Sequence, residues 1–362
     1  MVSLGGSREG SRTVEVTDLG SKNNAVCRLA NLPEDVWGHS AIYTNRGIIF
    51  CGGITREGRS KKCHILDANG SWLPFHDLTQ PGYQFSMVKL NEKIVVIGSS
   101  YTGNSFEFIN IQNGSNWDAK SFTLKPSSHC TVAISETTVM IIGGILVDVL
   151  PNQVLPKSAL YMEVLLHKCL LPCKWINVFF NLQVSSGTTF LNVNTMDSAQ
   201  GPFMNEARFA HGCATASYNG SLHVFVVGGK QKGENRLSSM EVFNINEERW
   251  IDDFRSSNLP VPLSHFQVVQ ANSPKYFVYA VGGRAPNHPN QVSTIYGLNY
   301  SKQWEKIGDL ESKRYSHATI NIGSHDIPDC QCTLLKKSIV LWITKRRSRL
   351  PIQNRYRKMI RK

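Results

Sequence analysis

The sequence predicts an all-β protein in which one small antiparallel sheet is repeated along the chain. Two observations lead to this prediction. Apolar runs rich in β-branched residues end in glycine doublets at several places, and tryptophans and histidines recur at nearly constant distances from these doublets. Such self-similarity, at a period of roughly 20 to 50 residues, is typical of proteins built from repeated supersecondary units.

The glycine doublets follow runs of apolar residues, of which residues 48–51 are one example. The repeated glycines are Gly52, Gly53, Gly98, Gly143, Gly144, Gly228, Gly229, Gly282 and Gly283. Their spacing is similar throughout, except that the interval from Gly143 to Gly228 is much longer, and Ser99 replaces the second glycine of one doublet. Glycine permits a sharp bend and close approach of two backbones, so these positions indicate a repeated turn after a strand.

Two aromatic markers keep a steady distance from the doublets. A tryptophan follows the first glycine at a nearly constant interval, at Trp72, Trp117, Trp250 and Trp304. A histidine precedes it at a slightly more variable interval, at His39, His129, His211 and His265, while Phe85 takes this place in the second repeat. We expect each tryptophan to pack one sheet against the next, because its large apolar ring suits such a contact.

Each repeat of about 50 residues has room for four short strands, which is the composition of a β-propeller blade. The pattern of apolar run, Gly-Gly, variable loop, spaced aromatic and Arg-x-x-His resembles the kelch repeat over about residues 13–330. This resemblance implies a six-bladed propeller with four-stranded antiparallel blades. Strands from the N- and C-terminal parts of the chain are expected to complete one shared blade, which removes the free sheet edges.

The predicted organisation has four parts. Residues 1–12 are polar and rich in Gly and Ser and are expected to be flexible, residues 13–332 form the propeller, and residues 333–362 form a basic tail. Residues 146–186 are expected to be an irregular insertion in the third blade, whose outer strands come from residues 162–164 or 189–191.

For the shared blade, residues 13–30 are expected to supply the outer two strands. The inner strands are expected from the repeat that opens at Arg314 and His317. A doublet is due there near residues 330–334, but the sequence has Asp-Cys-Gln-Cys at 329–332. Residues 339–343 are an alternative late inner strand.

The charge distribution argues against nucleic acid as a partner. The net charge is +12, but residues 333–362 hold eleven Lys or Arg and no acid, so residues 1–332 together carry 12 − 11 = +1. A near-neutral body with a basic tail lacks the basic surface of a nucleic-acid-binding domain.

The sequence has no apolar run long enough for a membrane-spanning helix, so none is expected. We expect a monomer in the cytoplasm, since the first residues lack the apolar segment of a secretory signal.

Cysteines and glycosylation motifs leave an extracellular location open. Nine cysteines are interpreted mainly as buried free thiols, although a bridge between Cys51 and Cys63 is an alternative if the protein is secreted. Asn-x-Ser motifs begin at Asn69, Asn113, Asn219 and Asn299. Three of them are Asn-Gly-Ser, and Asn-Gly is also the favoured pair of a tight hairpin turn, so turns are preferred over glycans. The alternative is an extracellular adhesion-type kelch module.

No catalytic or metal site is expected. The repeated histidines occupy the same place in different blades, which spreads them around a ring, whereas metal ligands must converge on one point. Galactose oxidase, a copper enzyme, shares this propeller class and is the enzymatic alternative, but its set of two tyrosines, two histidines and a crosslinked cysteine cannot be matched here. The sequence also lacks the common hydrolase and phosphate-binding motifs. We therefore expect no enzyme activity and no cofactor.

The loops after the doublets are the predicted binding surface for a protein or peptide. Arginine forks and exposed aromatics suit recognition of an acidic or polar peptide. The candidate residues are Arg56, Arg59, Tyr101, Lys230, Arg236, Arg284, Asn287 and His288. Kelch-like adaptors that capture ubiquitin-ligase substrates carry a separate BTB domain, while only residues 1–12 precede the first predicted strand here. Recruitment of a ubiquitin ligase therefore cannot be carried over to this chain. The resemblance implies a binding scaffold, with substrate recognition as one form of that role.

Overall fold

The computed structural model of the protein describes residues 1–6, 12–19, 26–98, 106–112, 114, 116–120, 126–147, 182–233, 235–286, 291–323 and 331–332. Within these residues the chain is all β, with thirty strands and no α-helix. The strands form eight antiparallel sheets, six of which contain four or five strands. No helix of the described part is long and apolar enough to cross a membrane.

The chain begins with three strands, β1 (Val2–Leu4), β2 (Val14–Thr17) and β3 (Val26–Arg28). Sheet 1 follows and consists of β4 (Ser40–Thr44), β5 (Gly47–Cys51), β8 (Cys63–Leu66) and β9 (Trp72–Phe75). A small hairpin of β6 (Ile54–Thr55) and β7 (Gly58–Arg59) lies in the loop between β5 and β8. Sheet 2 consists of β10 (Ser86–Leu90), β11 (Lys93–Ile97), β12 (Phe106–Asn110) and β13 (Asp118–Lys120).

The strands of sheet 3 come from both sides of residues 148–181 in the sequence, which lie outside the described residues. Strand β14 (Pro126–Ser127) precedes this sheet, and the sheet itself consists of β15 (Cys130–Ala133), β16 (Thr138–Ile142), β19 (Thr188–Asn192) and β20 (Ser198–Gly201). Strands β17 (Ile145–Val147) and β18 (Leu182–Val184) pair with each other, and β17 also pairs with β14. The outer strands therefore include residues 189–191, the second of the two predicted alternatives. The other alternative, residues 162–164, lies outside the described residues.

Sheets 4 and 5 are four-stranded meanders, and the pairing in sheet 5 has register shifts near Tyr276 and Ile295. Sheet 4 consists of β21 (Gly212–Tyr218), β22 (Ser221–Val227), β23 (Met240–Asn244) and β24 (Arg249–Ile251). Sheet 5 consists of β25 (Gln267–Gln270), β26 (Tyr276–Val281), β27 (Thr294–Asn299) and β28 (Trp304–Asp309). The last strands of the described chain are β29 (Ala318–Ile320) and β30 (Gln331–Cys332), and they join the N-terminal strands in sheet 6, with the order β29-β1-β2-β3-β30.

The two ends of the chain meet in sheet 6 differently from the expectation. Strand β1 is fully buried and pairs with β2 on one side and β29 on the other, so part of residues 1–12 is ordered strand and not a flexible segment. The N-terminal part of the chain supplies three strands of this sheet, and the C-terminal part supplies β29 and the short edge strand β30. The physical reason is that the apolar side chains at residues 2–4 are stabilised by burial.

The sixth glycine doublet is Gly5-Gly6, directly after β1. The expectation of a doublet near residues 330–334 was wrong. The inner strand that ends at the glycine doublet of sheet 6 is β1, from the N-terminal part of the chain. Gly5 and Gly6 have φ angles of 57° and 104°, close to the 63° and 92° of Gly52 and Gly53. Residues 333–362, including the alternative strand at 339–343, lie outside the described residues.

The apolar core is divided into six clusters that join neighbouring sheets. One cluster joins Phe225 of sheet 4 with Phe277 of sheet 5, and another joins Leu4 of sheet 6 with Phe50 of sheet 1. The second strand of each sheet is covered on both faces, which explains why these strands read as continuous apolar runs. The first strands of successive sheets are also neighbours, and β29 of sheet 6 lies beside β4 of sheet 1. This arrangement is compatible with a β-propeller.

The tryptophans have a common role between neighbouring sheets. In each case the indole Nε1–H donates to a backbone carbonyl in the segment that follows the last strand of the preceding sheet. The pairs are Trp72 with Ala30 (2.9 Å), Trp117 with His76 (2.7 Å), Trp250 with Pro202 (3.0 Å) and Trp304 with Ser257 (3.1 Å). The indole thus satisfies its single donor while its ring covers apolar surface.

A buried ion pair fastens sheet 6 together. Arg314, which precedes β29, is fully buried, and its guanidinium donates to the carboxylate of Glu15 on β2 and to the Gly5 carbonyl. The Glu15 carboxylate also accepts the backbone N–H of Glu311 at 2.7 Å. In sheet 4, Arg208 and Glu241 make the same pair at 2.8 Å. Both arginines belong to Arg-x-x-His sequences, so this motif fixes the entry to a sheet.

The cysteines differ from the main expectation of free thiols. Cys51 and Cys63 face each other on β5 and β8 and form a disulfide, with Cα atoms 4.1 Å apart. Cys130 on β15 and Cys213 on β21 form a second disulfide, with Cα atoms 6.0 Å apart, which joins sheet 3 to sheet 4. Both Cα separations are below the roughly 7 Å beyond which two cysteines cannot be bridged.

Candidate functional site

A ring of backbone hydrogen bonds surrounds the place where the six sheets converge. One residue with a positive φ, between 49° and 67°, precedes the first strand of each sheet: Gly38, Gln84, Ser128, Ala210, His265 and Ser316. Each of these residues donates its N–H to the carbonyl of the equivalent residue in the preceding sheet, at 2.8 to 3.0 Å. Gly38 donates to Ser316, so the six hydrogen bonds form a complete circle.

The next residue in each sheet places a ring between two sheets. These residues are His39, Phe85, His129, His211, Phe266 and His317. A Cβ atom added to Gly143 would lie 2.9 Å from Cε1 of His211 and 2.6 Å from the Arg208 carbonyl. Gly282 has the same relation to His317, at 2.9 Å. The first glycine of these doublets is therefore required by both its φ and its contact with the following sheet.

The ring position in sheet 5 is Phe266, and not His265 as the spacing predicted. Phe266 packs against Gly228 in the way that His211 packs against Gly143. His265 is one residue earlier and belongs to the circle of positive-φ residues, where its Nδ1 lies 3.2 Å from the Ser264 hydroxyl. The hairpin between the first and second strands differs in length from sheet to sheet, so distance to the doublet alone does not separate residue 265 from residue 266.

Burial keeps the ring histidines neutral. Desolvation lowers the pKa of His39, His129 and His211 to about 3, and it lowers the pKa of His317 well below its usual value. The positive charge of Arg314 adds to the lowering of the pKa at His39, where the nearby Leu4 backbone opposes it. That Leu4 contact is not in hydrogen-bonding geometry, since both ring nitrogens of His39 have no partner among the described residues.

The convergence of the sheets leaves a pocket with about 490 Å³ of empty space, which includes space open to solvent. It is lined by the circle and ring residues, among them Gln84, His129, His265 and Ser316. The part of the chain that the structure describes contains no group of three or more His, Cys, Asp or Glu that could hold a metal ion. The ring histidines His39, His129, His211 and His317 all line this pocket.

Aromatic residues and cations surround the mouth of this pocket. An aromatic residue precedes the positive-φ residue in four of the six loops, at Trp37, Tyr83, Phe209 and Tyr315. Cations from the doublet loops lie over three of these rings. The distances to the ring centroids are 5.3 Å for Arg59 over Tyr83, 5.8 Å for Lys230 over Phe209 and 4.9 Å for Arg284 over Tyr315. These distances are within the range of cation–π contacts.

Two of the predicted binding residues come together around Ser264. The Arg236 Nε–H donates to the Ser264 hydroxyl at 3.1 Å. The backbone of Arg284 makes two hydrogen bonds with the backbone of Ser264, at 2.8 and 3.1 Å. His265 and Tyr315 complete this group, with ring centroids 6.2 Å apart in an edge-to-face arrangement. We call Arg236, Ser264, His265, Arg284 and Tyr315 the Ser264 cluster.

The remaining predicted binding residues are more dispersed. The Arg56 side chain is 87% exposed and forms an ion pair with Asp35 at 2.7 Å. Arg59 and Lys230 lie at the mouth in the cation–π contacts described above. Tyr101, Asn287 and His288 lie outside the described residues. The aromatic residues of the mouth were not among the predicted residues, although an aromatic residue two positions before the ring position was a readable signal.

The charge of the doublet loops differs from that of the rest of the protein. The loops at residues 54–62, 230–239 and 284–293 contain eight cations and two acids, a net charge of +6. Since residues 1–332 together carry +1, the remainder of that range carries −5. These three loops are therefore positive, whereas the rest of residues 1–332 has a net negative charge.

No protein-family model matches this chain, and no curated protein sequence matches it significantly. The candidate function therefore has to be argued from the geometry and charge of the mouth.

Proposed function

We propose that the protein is a six-bladed, kelch-type β-propeller that binds a protein or peptide partner at the mouth of its central pocket. The complete circle of six backbone hydrogen bonds supports the blade count and the closure. Sheet 6, which contains strands from both parts of the chain, supports closure of the ring by these two parts. The glycine doublets and Arg-x-x-His motifs support the kelch resemblance.

The observation that carries the binding proposal is the Ser264 cluster at a positive mouth. The Arg236 guanidinium donates to the Ser264 hydroxyl, and the backbone of Arg284, from a second loop, pairs with the backbone of Ser264. The Arg284 guanidinium lies over the neighbouring Tyr315 ring. Guanidinium groups donate paired hydrogen bonds to carboxylates, and tyrosine and arginine are enriched among residues that dominate binding energy. The partner proposed here is therefore an acidic segment of a protein. Binding at this mouth requires no chemical step, and we propose a scaffold role without catalysis.

An extracellular or secretory setting is the second candidate, and the disulfides favour it. Bridges persist in oxidising compartments and are rare in the cytoplasm. The pairs Cys51–Cys63 and Cys130–Cys213 both have bridging geometry. The proposed role then becomes that of an extracellular binding module, and the chemistry of the mouth is the same. This candidate differs from the cytoplasmic location predicted from the first residues of the sequence.

Replacement of both cluster arginines should weaken binding of acidic peptides at least about tenfold. Full-length protein is tested against an array of acidic peptides and their neutral counterparts, in which Gln and Asn replace Glu and Asp. Two charge-assisted contacts are lost in R236A/R284A, and tenfold corresponds to about 1.4 kcal/mol. Binding should also fall with added salt, because exposed charges are screened.

The matched control is Arg249→Ala. Arg249 begins β24 on a hairpin at the opposite ends of the strands, and its pair with Glu247 is largely exposed. This variant should bind acidic peptides as the unchanged protein does. Equal binding of acidic and neutral peptides, or full binding by R236A/R284A, would contradict the proposal.

A further inference from the structure

Three of the four Asn-x-Ser motifs lie toward the side of the sheets opposite the mouth. Within each sheet, the second strand ends at a glycine doublet next to the mouth, so the hairpins that join strands one to two and three to four lie at the other ends. Asn69 follows β8, Asn219 follows β21, and Asn299 ends β27, so each belongs to such a hairpin. The fourth, Asn113, lies between β12 and β13 in the sequence but outside the described residues.

Asn69 and Asn219 lie at open hairpin tips. Both side chains are exposed. The glycines that follow them have open surroundings, because a Cβ atom added to Gly70 or Gly220 would meet no atom within 4 Å. Asn219 and Gly220 form a two-residue turn, with φ angles of 50° and 76°, between the paired residues Tyr218 and Ser221. A bulky substituent at either asparagine is therefore compatible with the folded protein.

Asn299 is different and provides an internal comparison. It is half-buried at the end of β27, and its side-chain oxygen accepts the backbone N–H of Gln303 at 3.0 Å. The Asn299 amide is less accessible to a large substituent than those of Asn69 and Asn219, because it is half-buried and they are exposed. The same sequence motif thus occurs in two open positions and one restricted position.

The disulfides provide independent evidence about the chemical setting. Two bridged pairs, one of which joins sheets 3 and 4, are expected in an oxidising compartment. Attachment of oligosaccharides to Asn-x-Ser is a modification of secreted proteins and places bulky, solubilising groups on their surfaces. Exposed acceptor sites and disulfides therefore both indicate a protein of the secretory pathway.

We propose that Asn69 and Asn219 carry N-linked oligosaccharides, which cover the side of the protein opposite the mouth. The donor is an oligosaccharide held on a lipid pyrophosphate. The bond from its first sugar carbon to the pyrophosphate oxygen breaks, a bond from that carbon to the asparagine Nδ2 forms, the amide gives up one proton to a base, and the lipid pyrophosphate leaves. The glycans leave the Ser264 cluster open to its partner.

Peptide mass spectrometry of the full-length protein from its own cells tests this proposal. Enzymatic removal of glycans in heavy-oxygen water converts each modified asparagine to a labelled aspartate. Asn69 and Asn219 precede glycine and can deamidate spontaneously, so an enzyme-free sample in the same water is the reference. Label above this reference should appear at Asn69 and Asn219 and be absent at Asn299. In the same cells, Ser71→Ala and Ser221→Ala should each abolish one glycan while leaving its asparagine in the turn, and Ser301→Ala should change nothing. Unlabelled Asn69 and Asn219, or label at Asn299 alone, would overturn the proposal.

The two proposals can fail separately. Removal of the glycans should change acidic-peptide binding by less than about twofold, because the sites lie away from the mouth. R236A/R284A should lose binding and keep both glycans. If mass spectrometry finds no glycans, the proposal of peptide binding at the mouth is unaffected. If R236A/R284A binds acidic peptides normally, the proposal of glycans at Asn69 and Asn219 is unaffected.

Discussion

Replacement of Arg314 by methionine should lower the free energy of unfolding by about 3–5 kcal/mol, as expected when one partner of a buried ion pair is removed. Arg314 is fully buried and Glu15 is 1% exposed, so the variant leaves the Glu15 carboxylate buried without its main cationic partner. The pair also connects the C-terminal entry to sheet 6 with strand β2, which comes from the start of the chain. Denaturant unfolding followed by tryptophan fluorescence measures the loss.

The control for this variant lies on the same seam. Arg28 on β3 pairs with Glu311 at 2.8 Å, but these side chains are 53% and 47% exposed. Exposed pairs contribute about 0–1 kcal/mol, so Arg28→Met should change stability little. The double variant E15L/R314M should recover part of the stability that R314M loses, since no buried charge remains. Equal stabilities of R314M and R28M would contradict the proposed seam.

Replacement of His129 by phenylalanine should make the protein more resistant to acid. Burial lowers the pKa of folded His129 to about 3, while an unfolded histidine titrates near its ordinary value of 6.5. Between these values the unfolded state binds more protons, so acid favours unfolding. The contribution of His129 to stability is therefore complete above pH 6.5 and falls as the pH drops toward 3, by about 1.4 kcal/mol per pH unit.

Phenylalanine is a suitable replacement because two sheets already have it at the ring position. Phe85 in sheet 2 and Phe266 in sheet 5 are both buried there. The measurement is the free energy of unfolding of both proteins between pH 4 and pH 8. The difference between the two curves should be constant above pH 7. Below pH 6 it should shift in favour of H129F by about 1.4 kcal/mol per pH unit, with carboxylate effects common to both. Parallel curves over the whole range would show that His129 is not buried in neutral form.

Much of the repeat could be predicted because it is local in sequence. A strand that ends at two glycines, and a tryptophan at a fixed interval after them, are features that a regular sheet contains within itself. Sheet 6 is the exception, because its inner strands are far apart in the chain. In the other sheets the doublet follows the ring residue by 13 to 17 positions in the sequence. In sheet 6 the ring residue is His317 and the doublet is Gly5-Gly6, so this interval does not exist in the sequence. The pattern Val-Ser-Leu-Gly-Gly at residues 2–6 was nevertheless a readable signal.

The candidate site was predicted only in part for a different physical reason. Sequence position identified Arg284 and Arg236 as loop cations, since one follows a doublet directly and the other lies in the same kind of loop. The Arg236 side chain and the Arg284 backbone both contact Ser264. The contact of Arg236 depends on how two sheets pack, and the spacing of residues in the sequence does not predict this packing. Likewise, Cys130 and Cys213 are far apart in the chain, and only the neighbouring positions of β15 and β21 bring them together.

A designed disulfide between β1 and β29 tests the central claim most directly. Ser3 and Thr319 are paired residues in sheet 6, and their hydroxyl oxygens are 3.0 Å apart. In S3C/T319C, mild oxidation should give a single cross-linked peptide that joins residues 3 and 319, found by mass spectrometry of the folded protein. Formation of the Cys51–Cys63 bridge without any 3–319 bridge would mean that the two parts of the chain do not share a sheet, and the closed ring with its single mouth would be wrong.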